Sequence, residues 1–313
     1  MGETMNDTIA DRIKGCLFGQ AIGDALGLGT EFMSQKDIQN YYPNGFTDYR
    51  QMIDDHHRNK WVPGEWTDDT DMMLCITDAM IEDKGINPMT VAGNFHRWYE
   101  GTPLGIGRNT RNVLRQHDYL ANPFNASMRV WEATGKANAA NGGLMRTAPV
   151  GLLNENVPQN AEAICKLTHA DPRCIGSCVI QSVIINRLVW AGVAPSFEEI
   201  KALGRQYDER IDAYLELAKG DLAGLELDNS QAMGYTLKTL GASLWTLFHA
   251  KDFASGLLAI VNAGGDADTN GAVAASLLGA KFGFKAIPAK YVDGLVRKDR
   301  MADVAEKMIR LLA

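Results

Sequence analysis

With 313 residues the chain is long enough to bury a sizeable core, and its 46% hydrophobic and 22% charged residues are those of a globular protein, which excludes disordered and fibrous architectures. Thirty-one basic against thirty-eight acidic side chains leave a formal charge of −7 with no Lys/Arg-rich run, so nucleic acid is not expected as the main partner.

In chain order, apolar residues recur at helical spacing over 8–26, 68–82, 88–100, 108–116, 161–167, 174–191, 196–218, 234–248, 253–262, 271–282 and 301–312. Hardly any stretch shows the alternation that a half-buried strand needs, so the predicted fold class is all-α. Breakers such as Pro63-Gly64, Gly142-Gly143, Gly264-Gly265 and Pro288 separate the helices without forming a low-complexity linker, and no repeat of fixed period is found. One compact multi-helix domain over 1–313 is the simplest organisation. The acidic stretch 208–228 is expected to be a solvated helix face and loop. Cys16, Cys75, Cys165, Cys174 and Cys178 form no CxxC pair, and their odd number suits reduced, buried thiols. Residues 1–13 lack the basic start and apolar run of a secretory signal, and charges such as Lys14 and Asp24 interrupt the best apolar window. The expectation is a cytoplasmic protein without a membrane partner; the sequence does not speak to its oligomeric state.

Gly15, Gly19, Gly23 and Gly27 lie four apart, as do Gly271, Ala275, Gly279 and Gly283, so each set leaves one helix face without side chains. Glycine within a helix costs up to about 1 kcal/mol relative to alanine, so four in register imply close approach of another backbone. Two tight helix seams are expected, fixing the loop after Gly27 and the loop before Gly271.

Two acidic segments, Trp66-Thr67-Asp68-Asp69-Thr70-Asp71 and Gly264-Gly265-Asp266-Ala267-Asp268-Thr269-Asn270-Gly271, each run into a helical pattern about 200 residues apart. Helix capping by Thr67 or Asp268 accounts for one side chain at each start. Each segment nonetheless supplies several carboxylates beside a threonine hydroxyl, all oxygen donors of the kind that Mg²⁺ or Mn²⁺ takes. If the two helix starts meet, that many like charges must take up protons or a cation, and two divalent ions with Asp69 and Asp268 nearest the bridge are expected.

The run Gly15-Cys-Leu-Phe-Gly-Gln-Ala-Ile-Gly-Asp-Ala-Leu-Gly27 with Glu31-Phe32, then Trp66 to Met72, Asn141 to Pro149, Thr168 to Cys174, Gly264 to Gly271 and Gly279 to Pro288, resembles in order the ADP-ribosylglycohydrolase family over roughly residues 10–290. The resemblance implies a compact all-helical domain and metal-dependent hydrolysis of the bond between the distal ribose of ADP-ribose and an acceptor, on a protein side chain such as arginine or serine or in a small conjugate. It implies Thr67, Asp68, Asp69, Asp266, Asp268 and Thr269 as ligands of two Mg²⁺ or Mn²⁺ ions. Glu31 is assigned to positioning water or substrate, or to acid-base work beside Asp69 and Asp268. Asn141, Gly142, Gly143, Leu144 and Met145 are implied as contacts to phosphates and proximal ribose, and His169 as a histidine near the distal ribose. Arg146 suits phosphate, carbonyls or a structural acid.

One departure stands out. Relatives that cleave ADP-ribosyl-arginine often carry Asp-Ile-Gly after the helix containing Trp98, where this chain has Gly105-Ile106-Gly107, so the guanidinium's carboxylate partner is missing. The insert at 44–61, with His56-His57, is expected to be a plain surface loop rather than a cover for the cleft. Two other activities fit the residues, glycohydrolysis of a free nucleoside or nucleotide metabolite and ADP-ribose binding without turnover.

Overall fold

The computed structural model describes residues 6–313. Its helices are α1 (Asp7–Gly27), α2 (Gln35–Tyr41), α3 (Asp68–Asp83), α4 (Pro88–Glu100), α5 (Arg108–Leu114), α6 (Pro123–Ala133), α7 (Val157–Lys166), α8 (Pro172–Asn186), α9 (Phe197–Arg205), α10 (Ile211–Lys219), α11 (Thr236–His249), α12 (Phe253–Val261), α13 (Ala267–Phe282), α14 (Ala289–Gly294) and α15 (Lys298–Leu312). Apart from one isolated bridge between Ala140 and Tyr235, the described residues contain no β-structure, so the all-α class is correct.

The two small-residue stripes are a single seam. A Cβ added at Gly15 would lie 2.4 Å from the Gly279 carbonyl oxygen, at Gly19 2.2 Å from that of Ala275, at Gly23 2.1 Å from that of Gly271, and at Gly27 2.1 Å from that of Ala267. That descending register means α1 and α13 run antiparallel, backbone against backbone, so the end of α1 meets the start of α13. Both helices are buried around nearly their whole circumference, which explains why neither shows an amphipathic stripe. Other helices pack around this pair. Buried polar side chains tie them together, with Gln181 on α8 donating to the Val273 carbonyl at 3.0 Å and Ser243 on α11 donating to Gln181 at 2.9 Å.

Several boundaries differ from expectation. The span 196–218 is two helices, because Asp208 accepts the Arg210 N–H at 2.9 Å and turns the chain at 206–210, bringing Ile211 back onto Gly204. No Gly or Pro marks that turn. Helix α13 begins at Ala267, so Asp268 and Thr269 sit in its first turn rather than in a preceding loop. Helices α2, α6 and α14 lie where none was expected. The stretch Pro172–Ala191, α8 plus a π-helical turn, is long and apolar enough to cross a membrane by length and composition, and 72% of its most apolar window is buried inside the fold. All five cysteines are free; Cys75 is half-buried and the others are buried.

Candidate active site and metal centre

Asp24, fully buried on α1, sets the start of α3. Its carboxylate accepts from the Thr67 N–H at 3.0 Å, the Thr67 hydroxyl at 2.9 Å, the Thr70 N–H at 3.0 Å and the Thr70 hydroxyl at 2.6 Å. Gln20, one turn earlier on α1, donates to the Asp69 carbonyl at 3.3 Å and the Met145 carbonyl at 2.8 Å, holding the first turn of α3 beside the 141–146 turn. The start of α13 is set by the glycine seam and by Gly264 and Gly265, whose φ of +74° and +72° are left-handed. A Cβ there would meet the Met33 carbonyl at 2.3 Å or the Leu227 carbonyl at 2.0 Å, so only glycine closes this turn. Phe32 N–H donates to the Gly265 carbonyl at 2.6 Å and Gly265 N–H to that of Met33 at 2.9 Å, which fastens the Glu31 loop to the same turn.

The two acidic turns, distant in sequence, therefore converge. Glu31, Thr67, Asp68, Asp69, Asp266, Asp268 and Thr269 line one cavity of about 780 Å³. Oxygens of Glu31, Asp266 and Asp268 lie within 4.8 Å of one another, the arrangement among the described residues that could hold a metal ion. Capping alone does not account for these acids. Thr67 caps α3, accepting from Asp69 N–H at 3.5 Å, but Asp266 makes no cap bond to α13; its carboxylate is held instead by the Asn141 amide at 2.5 Å. Asp69 Oδ2 is buried with no hydrogen-bond partner. An unpartnered buried carboxylate oxygen among four other carboxylates fits a cation ligand.

Desolvation, reinforced by the Glu31 charge, pushes Asp68 up to about 6 and Asp266 up to about 7 from the usual 3.8. Burial and the surrounding carboxylates raise Asp69 and Asp268 well above that usual value. A carboxyl raised in the fold stabilises fully below its unfolded pKa, and that stability is lost as pH rises through the folded value. The cation-free protein is therefore expected to lose thermal stability between about pH 4 and pH 7, and millimolar Mg²⁺ or Mn²⁺ to restore it at about pH 7.5 with little effect at about pH 5. A melting temperature at about pH 7.5 that ignores both cations would refute the cation reading.

Asn141, Gly142 and Met145 reach the cavity wall, in a 3₁₀ turn spanning Asn141–Arg146 rather than a loop feeding an α-helix. Gly143 and Leu144 do not reach it: Gly143 packs on Cys165 and His169, and Leu144 is in the core. The expectation of phosphate contacts at those two positions is corrected, since a 3₁₀ turn repeats every three residues and so brings Gly142 and Met145, not Gly143 and Leu144, to the cavity side. His169 does line the cavity, and a Cβ on Gly142 would lie 2.9 Å from its Cε1. Burial and the Arg146 charge hold its imidazole well below the usual range, hence neutral. Arg146 Nη2 donates to Thr168 Oγ1 at 2.6 Å, the same hydroxyl lies 2.8 Å from His169 Nδ1, and His169 Nε2 is buried without a hydrogen-bond partner. Arg146 itself is fully buried over the Phe95 ring and is not among the residues lining this cavity.

The 44–61 insert is not a plain surface loop. His57, Lys60 and Trp61 line the cavity, and Arg58 is buried beneath it. Asp24, Gln20 and Arg58 thus escaped the sequence reading. The one available signal was an isolated acid in an otherwise apolar helix at Asp24. His96, which stacks on Tyr119, and His249, which stacks on Trp245, join no metal cluster among the described residues.

The sequence model of the family described as ADP-ribosylglycohydrolase matches residues 5–313. A protein of Serratia proteamaculans named ADP-ribosylarginine hydrolase Tri1 is 28% identical over 95% of this chain and 79% of its own length. The ADP-ribosyl-[dinitrogen reductase] glycohydrolase of Rhodospirillum rubrum is 28% identical over 93% of this chain and 92% of its own. A solved structure titled ADP-ribosylglycohydrolase-related protein complex superposes with a TM-score of 0.80 at 27% identity, covering 98% of this chain and 100% of the other.

Proposed function

The chain belongs to the ADP-ribosylglycohydrolase family, and from that premise we propose that it is a cation-dependent hydrolase of the glycosidic bond between the distal ribose of ADP-ribose and an acceptor. The observation that carries this reading is the convergence of the α3 and α13 first turns around Glu31 in one cavity. Thr67, Asp68, Asp69, Asp266, Asp268 and Thr269 would hold divalent cations, two of Mg²⁺ or Mn²⁺ by the donor set. Such ions supply Lewis acidity to a water and to adjacent sugar hydroxyls. The protein's own part is orientation and proton handling. Asn141 holds the Asp266 carboxylate, and Glu31 stands beside Asp266 and Asp268, where it can take a proton from the attacking water. His169 and the Gly142 backbone, which line the same cavity, would contact substrate oxygens.

The acceptor side favours a neutral group over a guanidinium. Gly105 supplies no carboxylate, and a Cβ there would already be 3.0 Å from Asp68 Oδ1. Glu65 and Asp71, which share a second pocket with Gly105, are engaged by Arg297 at 3.2 and 3.5 Å. Lys60, Arg108 and Arg111 at the cavity wall oppose a cationic acceptor. A mass-spectrometric assay of ADP-ribose release with added Mg²⁺ or Mn²⁺ tests both parts. Release from serine-linked substrate is expected to exceed release from arginine-linked substrate by more than about tenfold, the loss tied to one missing charge-assisted contact. Faster arginine release would overturn the acceptor assignment. Calorimetric binding of ADP-ribose without release from any conjugate would overturn the reaction and leave a binding protein.

A further inference from the structure

The segment between α2 and α3 grips Glu31 twice. Arg58 is 3% exposed although it lies in an insert bounded by polar residues, because its guanidinium is spent on the Glu31 loop: Nε donates to the carbonyls of Leu28 and Gly29, both at 3.1 Å, and Nη2 to the carbonyl of Glu31. Asp55 pairs with Arg58 Nη1 and accepts the His57 and Arg58 N–H groups at 3.0 and 2.8 Å, which shapes the turn that presents His57. The imidazole then reaches the side chain itself, with Nε2 2.6 Å from Glu31 Oε2. It is the side-chain partner that the structure gives this carboxylate. The His57 ring is packed between Phe32 and Trp61, at centroid distances of 4.9 and 5.5 Å. Phe32 holds its place with a left-handed φ of +60°, fixed by its bond to Gly265.

Glu31 needs such a grip. Its side chain has three rotatable bonds, so holding its carboxylate beside Asp266 and Asp268, within 4.8 Å of their oxygens, costs conformational entropy unless a partner fixes it. We propose that His57 is a positioning residue that holds Oε2 of Glu31 and keeps the carboxylate turned into the cleft, with Arg58 fixing the backbone below it. This rests on the proposed function for the role of Glu31. It gives the insert a task in the hydrolysis, since the side chains that the two acidic turns bring to the cavity are acids or hydroxyls and the side-chain bond to Glu31 comes from His57.

The test uses the full chain with Mg²⁺ or Mn²⁺ and an ADP-ribosyl conjugate that the wild type cleaves. His57→Ala is expected to lower kcat about 10- to 100-fold, the range for an outer partner of a working group, with KM changed by less than about threefold. His57→Gln, whose amide can donate to the same oxygen, is expected to recover most of that loss. In a Glu31→Gln background, His57→Ala should add less than about twofold, because the two residues act as one unit. Wild-type kcat in His57→Ala, equal losses in His57→Ala and His57→Gln, or multiplicative losses in the double variant would each overturn the proposal. If the wild type cleaves no conjugate, the proposed function fails on its own. Positioning is then read from crystal structures, where a Glu31 carboxylate that stays turned into the cleft in His57→Ala overturns it.

Discussion

Replacing Asp268 or Asp68 by asparagine is expected to lower cation-dependent release of ADP-ribose by more than about 100-fold, since the loss of an outer partner alone costs up to that much. The fold should survive. Burial, together with the surrounding carboxylates, raises the pKa of both side chains, so ionisation at neutral pH is a cost to the cation-free protein that the neutral amide removes. The cation-free variants should thus melt at or above the wild-type temperature at about pH 7.5, while gaining less on addition of Mg²⁺ or Mn²⁺. Circular dichroism melts beside the product assay separate the two effects. Undiminished turnover in both variants would remove the mechanism, and a large fall in melting temperature would mean that these acids serve the fold.

Leucine at Gly279 or Gly19 is expected to be the most damaging change outside the site. A Cβ at Gly279 would stand 1.9 Å from the Gly15 carbonyl oxygen and 2.3 Å from its carbon, and at Gly19 2.2 Å from the Ala275 oxygen. These are backbone atoms, so no rotamer change relieves the clash and α1 must part from α13. The cost should exceed ~3 kcal/mol, the upper end for overpacking that side chains can absorb, and lower the melting temperature by ~10 °C or abolish soluble expression. Alanine at Gly93 is the control. Nothing lies within 4 Å of a Cβ there, so it should stabilise α4 by up to about 1 kcal/mol. Unchanged melting of both leucine variants would mean that the seam carries no stability. Because the seam joins the end of α1 to the start of α13, alanine at Gly23 or Gly27, whose Cβ would stand 2.1 Å from the Gly271 or Ala267 carbonyl oxygen, should also displace Asp268.

Much of the site was legible because its chemistry is local. Thr67-Asp68-Asp69 and Asp266 to Thr269 each place their oxygens within one helical turn, and Gly15 to Gly27 announces a backbone contact by what is missing. The misses have a common cause. The positions of Gly143 and Leu144 depend on a 3₁₀ turn that composition does not distinguish from a loop. The break after α9 comes from one aspartate bonding to its own turn, which looks in sequence like any solvated acid. Arg58 and His57 sit in a stretch of polar residues, and nothing in that stretch says that its arginine finds its acceptors 27 to 30 residues earlier.

The order of residues by itself determined that the chain is helical, that two acidic helix starts carry oxygen donors, and that two helices touch through glycine, because periodicity, capping and the absence of a Cβ act over a few residues. Only the tertiary structure decided that the two small-residue faces belong to one antiparallel seam, which carries one acidic turn to the other across about 200 residues of chain. It alone decided which side chains hold the acids in place. Carboxylates repel each other, so no local preference gathers five of them; the packing of α1 on α13 and the bonds made by Asp24, Asn141 and His57 do.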